Sequence, residues 1–388
     1  MEIDHVHFFV EDALAQRDWF VETLGFQAIA TAHNAHSQTA VVRSGDIWFL
    51  VSSPLTAHSP VADYLTRHPP GVADVAIRVQ QLQPLLAQAA RWGATILQPL
   101  QQDWQDSQEG QSVRWAAIAG WGDWQHTLVE AQPQRYQSVY DHVLTLPWFL
   151  ASGMDVTLQA IPVSAVPAGD RLHPEAQLLA IDHVVLNVPV GELERAIAWY
   201  EAVLGLQRQQ RFSIQTQQSG LCSQVLGHPN GSIQLPINEP ASANSQIQEF
   251  LDINRGAGVQ HIALRAASAV AAIAHLRQLG LAFLSVPTVY YDQLRLRPGF
   301  PLSEPEWRAI AHHQILADWQ SDNPHALLLQ AFTQPIFAQP TFFFEIIERK
   351  TYCTNQQVLQ AKGFGEGNFL ALFQAIELEQ MKRQLDSV

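Results

Sequence analysis

The sequence predicts an α+β protein made of four repeated units, each a strand, a helix and several further strands, grouped in two modules. Three observations carry that reading. The tetrapeptide Ile3-Asp4-His5-Val6 returns as Ile181-Asp182-His183-Val184. Each copy is followed by a helical pattern, Trp19-Phe20-Val21-Glu22-Thr23-Leu24-Gly25 in one case and Trp199-Tyr200-Glu201-Ala202-Val203-Leu204-Gly205 in the other. Both place Trp and Leu on one face and a glycine where a helix C-terminus favours it. The interval from Asp74 to Gly93 equals that from His261 to Gly280, so each half of the chain holds a second copy of the pattern.

Taken in order, the first module is assigned to residues 1–150, with strands at 39–43, 47–51 and 126–130. From Ala131 the chain turns rich in Pro, Gln and Ala, and residues 151–177 read as a linker. The second module takes residues 178–388, its repeat running to about Lys350. A loop then leads to Gly363-Phe364-Gly365-Glu366-Gly367-Asn368-Phe369 and a C-terminal helix, because Phe369, Leu372, Phe373 and Ile376 keep helical spacing. The connection from Tyr290 to Pro324 has no evident role in the repeat.

Composition narrows the function classes. A chain of 388 residues, 47% hydrophobic, can bury a large core in two domains. Charged residues make up only 15% and form no long run, which excludes a disordered tail protein. The net charge of -14 argues against nucleic acid as a partner. Cys222 and Cys353 are far apart and are expected to be free thiols in a reducing compartment. The N-terminus carries acid where a signal peptide needs a basic lead, and no apolar run approaches membrane-spanning length. A cytoplasmic protein without a membrane partner is expected.

Three strand-like stretches each carry one metal-competent side chain in apolar surroundings. They are His183 in Ile181-Asp182-His183-Val184-Val185, His261 in Gly258-Val259-Gln260-His261-Ile262, and Glu345 in Phe343-Phe344-Glu345-Ile346-Ile347. A charge or imidazole there is costly unless something compensates it. Two histidines and one carboxylate, with no cysteine nearby, form the ligand set of a non-haem ferrous site. Most of the 16 histidines are ordinary surface or hydrogen-bonded residues. What sets His183 and His261 apart is that they occupy equivalent first strands of two units in one module. Alternation puts Val185 and Asn187 on the His183 face and sends Asp182 away, as a turn or strand-start residue. Glu348 is the second choice for the carboxylate. In the first module the counterparts are His5, Asp74 and about Thr127, without the carboxylate. That module is read as structural, with one metal per chain.

These stretches resemble the 4-hydroxyphenylpyruvate dioxygenase family of the vicinal oxygen chelate superfamily. The matching residues also include Leu235-Pro236-Ile237-Asn238-Glu239-Pro240, Ser245-Gln246-Ile247-Gln248, Phe283-Leu284-Ser285-Val286-Pro287 and Gly363 to Phe369. They run through most of 181–376 in the family's order; the first module fits only in outline. The resemblance implies half-open mixed β-barrels with outer helices. It implies one Fe(II) held by His183, His261 and Glu345, and a 2-oxo acid and O2 as partners. It also implies a pocket of Ser223, Asn238, Gln246, Gln260, Gln330 and Phe332, with Phe364, Asn368 and Phe369 in a C-terminal gate. The implied reaction turns 4-hydroxyphenylpyruvate and O2 into homogentisate and CO2 through oxidative decarboxylation, ring hydroxylation and side-chain migration. The family usually associates through its first module, so a homodimer is expected.

Alternation supports part of this pocket, since Gln330 and Phe332 share one strand face while Ala331 leaves it. Gln260 points away from His261 unless its strand is bulged. Three rival readings share the scaffold: 4-hydroxymandelate synthase, an extradiol dioxygenase, and a non-catalytic small-molecule-binding protein. Phe332 favours the dioxygenase over the synthase, whose family typically carries a smaller aliphatic residue there. The extradiol reading gives no account of the stretch from Gly363 to Phe369.

Overall fold

The repeat read in the sequence is a repeat in space. In this computed structural model, which describes residues 1–104, 112–130, 159–160, 174–216, 219–229, 233–320, 323–354, 357–365, 367–368 and 371, four units follow one another. The first is β1 (Glu2–Phe9), α1 (Ala13–Leu24), β2 (Gln27–His33), β3 (Ser37–Ser44) and β4 (Ile47–Pro54). Helix α2 (Pro60–Arg67) leads into the second: β5 (Gly71–Arg78), α3 (Leu82–Arg91), β6 (Ile96–Trp104), β7 (Ser112–Ala119) and β8 (Gln125–Glu130). The short strand β9 (Gln159–Ala160) pairs with β2, so part of the expected linker extends the first sheet.

The third unit is β10 (Leu178–Asn187), α4 (Leu193–Leu204), β11 (Gln207–Gln215), β12 (Gly220–Gly227) and β13 (Gln234–Pro240). After α5 (Gln246–Asn254), the fourth opens with β14 (Gly258–Ala266) and α6 (Ala269–Gln278). Two helices, α7 (Thr288–Leu296) and α8 (Glu304–His312), are inserted before β15 (Leu316–Gln320), β16 (Asn323–Phe332) and β17 (Phe343–Arg349). A hairpin, β18 (Thr351–Thr354) and β19 (Gln357–Gln360), follows. Beyond it, Gly367, Asn368 and Ala371 are helical, and the remainder of the expected C-terminal helix lies outside the described residues.

The helix ends behave as the sequence patterns require. Gly25 and Gly205 close α1 and α4 at φ +68° and +67°, a left-handed turn that a side chain would strain. That sharp stop returns the chain to its sheet two residues later in both units, at Gln27 and Gln207.

Each module is one mixed sheet curled into a half-barrel, in the order β6-β7-β8-β5-β1-β4-β3-β2-β9 for the first and β11-β12-β13-β10-β14-β17-β16-β15 for the second. Within every unit the first and last strands run parallel, as β1–β4, β5–β8, β10–β13 and β14–β17. The two first strands of a module then pair antiparallel at its centre, β1 with β5 and β10 with β14. The first strands of the two units are therefore direct neighbours at the centre of each sheet.

The modules share a core. Phe8, Phe20 and Phe49 of the first pack with Phe342 and Phe344 beside and within β17, with ring centroids 5.3 Å apart for Phe8–Phe342 and 5.8 Å for Phe49–Phe344. Strand β17 is thus buried on both faces, which is why Phe343 to Ile347 are apolar on either side of the single acid Glu345. Phe344 and Ile346 point to the other module, while Phe343, Glu345 and Ile347 point into their own barrel. Truncating Phe344 to alanine should cost roughly 3–5 kcal/mol, measurable as a lower urea midpoint. An unchanged midpoint would mean the first module does not brace this strand.

Candidate metal centre

The three candidate ligands meet because of strand register. His183 of β10 lies opposite Ala263 of β14, and Ala263 lies beside Glu345 of β17. His261 sits two residues before Ala263, on the same face. A row of three strands with alanine in the middle leaves room for the longer side chains on either side. Their ligand atoms all lie within 4.8 Å of one another. Glu345 Oε2 is 3.3 Å from His183 Nε2 and 3.7 Å from His261 Nε2. The nearer contact is within ion-pair range but is not aligned as a hydrogen bond.

The three residues are buried, yet Glu345 Oε2, His183 Nε2 and both ring nitrogens of His261 lack a hydrogen-bond partner. Buried polar atoms are nearly always satisfied, so three of these orphans, Glu345 Oε2, His183 Nε2 and His261 Nε2, converging on one point call for a missing partner. A divalent cation fits this donor set, and two histidines with one carboxylate suit an ion that keeps open positions for other ligands.

The two imidazoles are held differently. His183 Nδ1 is 2.9 Å from Asp182 Oδ1. Arg349 grips that same carboxylate with two hydrogen bonds of 2.7 Å. The expectation that Asp182 is a turn or strand-start residue is corrected: it lies mid-way along β10, where a bulge between Ile181 and His183 lets it reach its neighbour's ring. His261 has no such brace; its ring stacks on Phe343 at 4.7 Å and 18°.

Electrostatics assigns the site one proton. Burial opposes charge on His183, but the Glu345 carboxylate and the bond to Asp182 outweigh it and push its pKa up to about 9. Burial and the charged His183 push His261 well below its usual value. A metal needs both rings neutral, so loading must displace the proton on His183. Cation affinity should therefore rise about tenfold per pH unit until about pH 9, with one proton released, as calorimetry in buffers of different ionisation enthalpy would measure. Binding without proton release at pH 7 would contradict this charge assignment.

The other expected residues fall as follows. Gln330 donates to Glu345 Oε1 at 2.8 Å and to the Phe364 carbonyl at 3.1 Å. Asn368 Nδ2 donates to Gln330 Oε1 at 2.7 Å. The Phe332 ring stands edge-on 6.5 Å from His261, and Phe364 lies 5.2 Å from His183. Ala331 leaves this face for the core. Ser223, Asn238 and Asn187 line up across β12, β13 and β10. Asn238 donates to Asn187 Oδ1 at 3.2 Å, while Ser223 Oγ and Asn187 Nδ2 stay buried without partners. Gln260 is the extra residue of a bulge in β14, skipped between the pairs Val185–His261 and Leu186–Val259. With Gln246, Leu284 and Phe343, whose ring stacks on His261, it lines a cavity of about 300 Å³. Phe369 lies outside the described residues. Glu348 is elsewhere, accepting from the Ala269 N–H at 2.7 Å and pairing with Lys350.

The corresponding point of the first module is tied up internally. Asp74 lies opposite Gln125 as His261 lies opposite Phe343, which makes Thr127 the counterpart of Glu345. Asp74 accepts from the Thr127 N–H at 2.9 Å, from the Thr127 hydroxyl, and from Gln125 at 3.0 Å. His5 is bonded to Asp4, which Arg78 holds.

Residues 1–144 match the family described as Hydroxyphenylpyruvate dioxygenase, N-terminal, and residues 180–297 match the Glyoxalase/Bleomycin resistance protein/Dioxygenase superfamily. The chain is 35% identical to a 4-hydroxyphenylpyruvate dioxygenase of Caenorhabditis briggsae, over 98% of this chain and 92% of that one. It is 34% identical to one from Dictyostelium discoideum, over 98% of each. A mutant form of 4-hydroxymandelate synthase from Streptomyces coelicolor has a similar structure, with TM-score 0.79 and 26% identity over 98% of both chains. Among the described residues, no helix is long and apolar enough to cross a membrane.

Proposed function

The chain belongs to the 4-hydroxyphenylpyruvate dioxygenase family of the vicinal oxygen chelate superfamily, and from that premise we propose that it converts 4-hydroxyphenylpyruvate and O2 to homogentisate and CO2. Fe(II) is the proposed cofactor, held by His183, His261 and Glu345, although cobalt or manganese would suit the same ligands. When bound, it supplies the oxygen chemistry and a chelation point for the 2-oxo acid.

The chain's own residues would bind, orient and shield. The observation that most favours this reading is Phe332, whose ring stands edge-on to His261 while its backbone lies opposite Glu345. An aromatic substrate anchored at the ion would lie between Phe332 and Phe364, which flank the two histidines. The unpartnered Ser223 hydroxyl, Asn187 amide and Gln246 carbonyl offer polar contacts nearby, and Asn238 is held ready by Asn187. Phe364, buried against His183, would help exclude water. Association as a homodimer is part of the proposal, to be checked by light scattering.

The whole-chain similarity to 4-hydroxymandelate synthase favours a second reading, benzylic hydroxylation of the same substrate. One experiment separates them: anaerobic reconstitution with Fe(II), then addition of 4-hydroxyphenylpyruvate and O2, with identification of the product. Homogentisate in step with O2 uptake supports the proposal, and hydroxymandelate overturns it in favour of the synthase. No uptake at all would favour a binding protein.

A further inference from the structure

We propose that Tyr290, in the inserted helix α7, is a positioning residue for the candidate metal carboxylate, acting through Asn368 and Gln330 to fix which oxygen of Glu345 faces the histidines. The three links are short: Tyr290 Oη to Asn368 Oδ1 is 3.0 Å, Asn368 Nδ2 to Gln330 Oε1 is 2.7 Å, and Gln330 Nε2 to Glu345 Oε1 is 2.8 Å. All four side chains are wholly or largely buried.

The direction of this chain follows from its inner end. An ionised carboxylate only accepts hydrogen bonds, so Gln330 must present its NH2 group to Glu345 and its carbonyl to Asn368. Asn368 must then present its NH2 to Gln330, which turns its own carbonyl to Tyr290. Tyr290 must donate. Its oxygen already accepts from the Ala317 N–H at 2.9 Å, and burial raises its pKa, which keeps the phenol protonated. The Ala317 carbonyl, at 3.1 Å, competes for that proton, but Asn368 Oδ1 has no other donor among the described residues. Every proton in the chain points toward Glu345. The outcome is that Oε1 is occupied and Oε2 is the oxygen left for a cation.

The backbone around Asn368 is fitted to the same purpose. Gly365 has φ +74°, and a Cβ there would fall on the Gln330 amide oxygen. The Gly367 N–H donates to Asp318 Oδ2 at 3.1 Å, and Asp318 pairs with Arg297 at 2.6 Å. A Cβ on Gly367 would lie 2.6 Å from Asp318 Oδ1. Tyr290 and Arg297 belong to the insertion between α6 and β15, and Asp318 belongs to β15 itself. The inserted segment and the strand it leads into thus supply the anchors that seat Asn368 over Gln330. Without the Tyr290 hydroxyl, the Asn368 amide can turn over and set its carbonyl against that of Gln330, releasing Glu345 Oε1.

This role rests on His183, His261 and Glu345 being metal ligands, so the test uses Co(II) alone as probe. Tyr290→Phe, Asn368→Ala and the double variant would be compared with the wild type by visible absorption of bound Co(II) and by Co(II) affinity. The expected result is an altered spectrum and an affinity lowered roughly 10–100-fold in each single variant. The double variant should be no worse than Asn368→Ala, because both changes break one chain. If Tyr290 only braces α7 against β15, Tyr290→Phe will leave spectrum and affinity unchanged or its effect will multiply with that of Asn368→Ala; either outcome overturns the proposal. Should Tyr290→Phe not fold, Asn368→Asp decides alone. It still accepts from Tyr290 but offers Gln330 no proton, and an unchanged spectrum would overturn the proposal. A wild type that binds no Co(II) would instead sink the metal-site reading itself.

Discussion

Replacing Glu345 by glutamine is expected to abolish metal retention and turnover while leaving the fold close to intact. The amide has the carboxylate's shape, and its carbonyl can still accept from Gln330 at the position of Oε1. Its other end, however, becomes an NH2 group aimed at His183 Nε2 and His261 Nε2, where the native oxygen stands 3.3 and 3.7 Å away. Two effects then act together. The candidate site loses its only anionic ligand, and a donor occupies the place where the ion's negative partner stood. Changes to groups that merely orient a ligand cost roughly 10–100-fold in metal affinity, so losing the ligand itself should exceed that. The measurement is iron per chain after gel filtration, alongside circular dichroism and product formation. Glu345→Ala should match it in activity but lose more stability, because it also removes one of the two acceptors of the Gln330 NH2 group and leaves a cavity. A glutamine variant that kept its iron and full turnover would refute the assignment.

Glu345 could be found in the sequence because β17 is buried on both faces, so that one acid interrupts an apolar run. The histidines could be found because the repeat puts them on equivalent first strands, and those strands pair at the centre of the sheet. Where the sequence reading fell short, the cause is a backbone irregularity or a distant contact. Strict alternation sends Asp182 away from the site, but it lies at a bulge, which shifts register without leaving a mark in side-chain pattern. A signal for Asp182 did exist: its counterpart Asp4 recurs beside His5, and Arg349 follows Glu345 in a strand where a free cation would be costly. Tyr290 left no such signal, since its partner is 78 residues away in a segment outside the repeat. Aromatic residues in a helix ordinarily read as core, and only the position of the hydroxyl distinguishes this one.

Asp182→Asn should be the most destabilising single polar change near the site, on the order of 3–5 kcal/mol at neutral pH. The side chains of Asp182 and Arg349 are only 5% and 6% exposed, so the pair is scarcely screened by solvent. Arg349 also donates to the carbonyls of Ala361 and Gly363, at 3.2 and 2.7 Å. An asparagine has a single carbonyl to offer to either His183 or Arg349, and its NH2 group would repel whichever is left. The guanidinium would remain buried without a counter-charge, and the brace on His183 and the backbone before Phe364 would loosen together. The pH dependence has a definite sign. Burial alone would raise the Asp182 pKa, but the hydrogen bonds and charge of Arg349 hold it well below the usual carboxylate range. A depressed folded-state pKa stabilises above the unfolded value of about 3.9, and that contribution is lost as pH falls further. The gap in urea stability between wild type and Asp182→Asn should thus stay nearly constant from pH 7 to about pH 4 and narrow below it. A gap under about 1 kcal/mol at pH 7, as for an exposed pair, would show that Asp182 and Arg349 do not form the buried brace on His183.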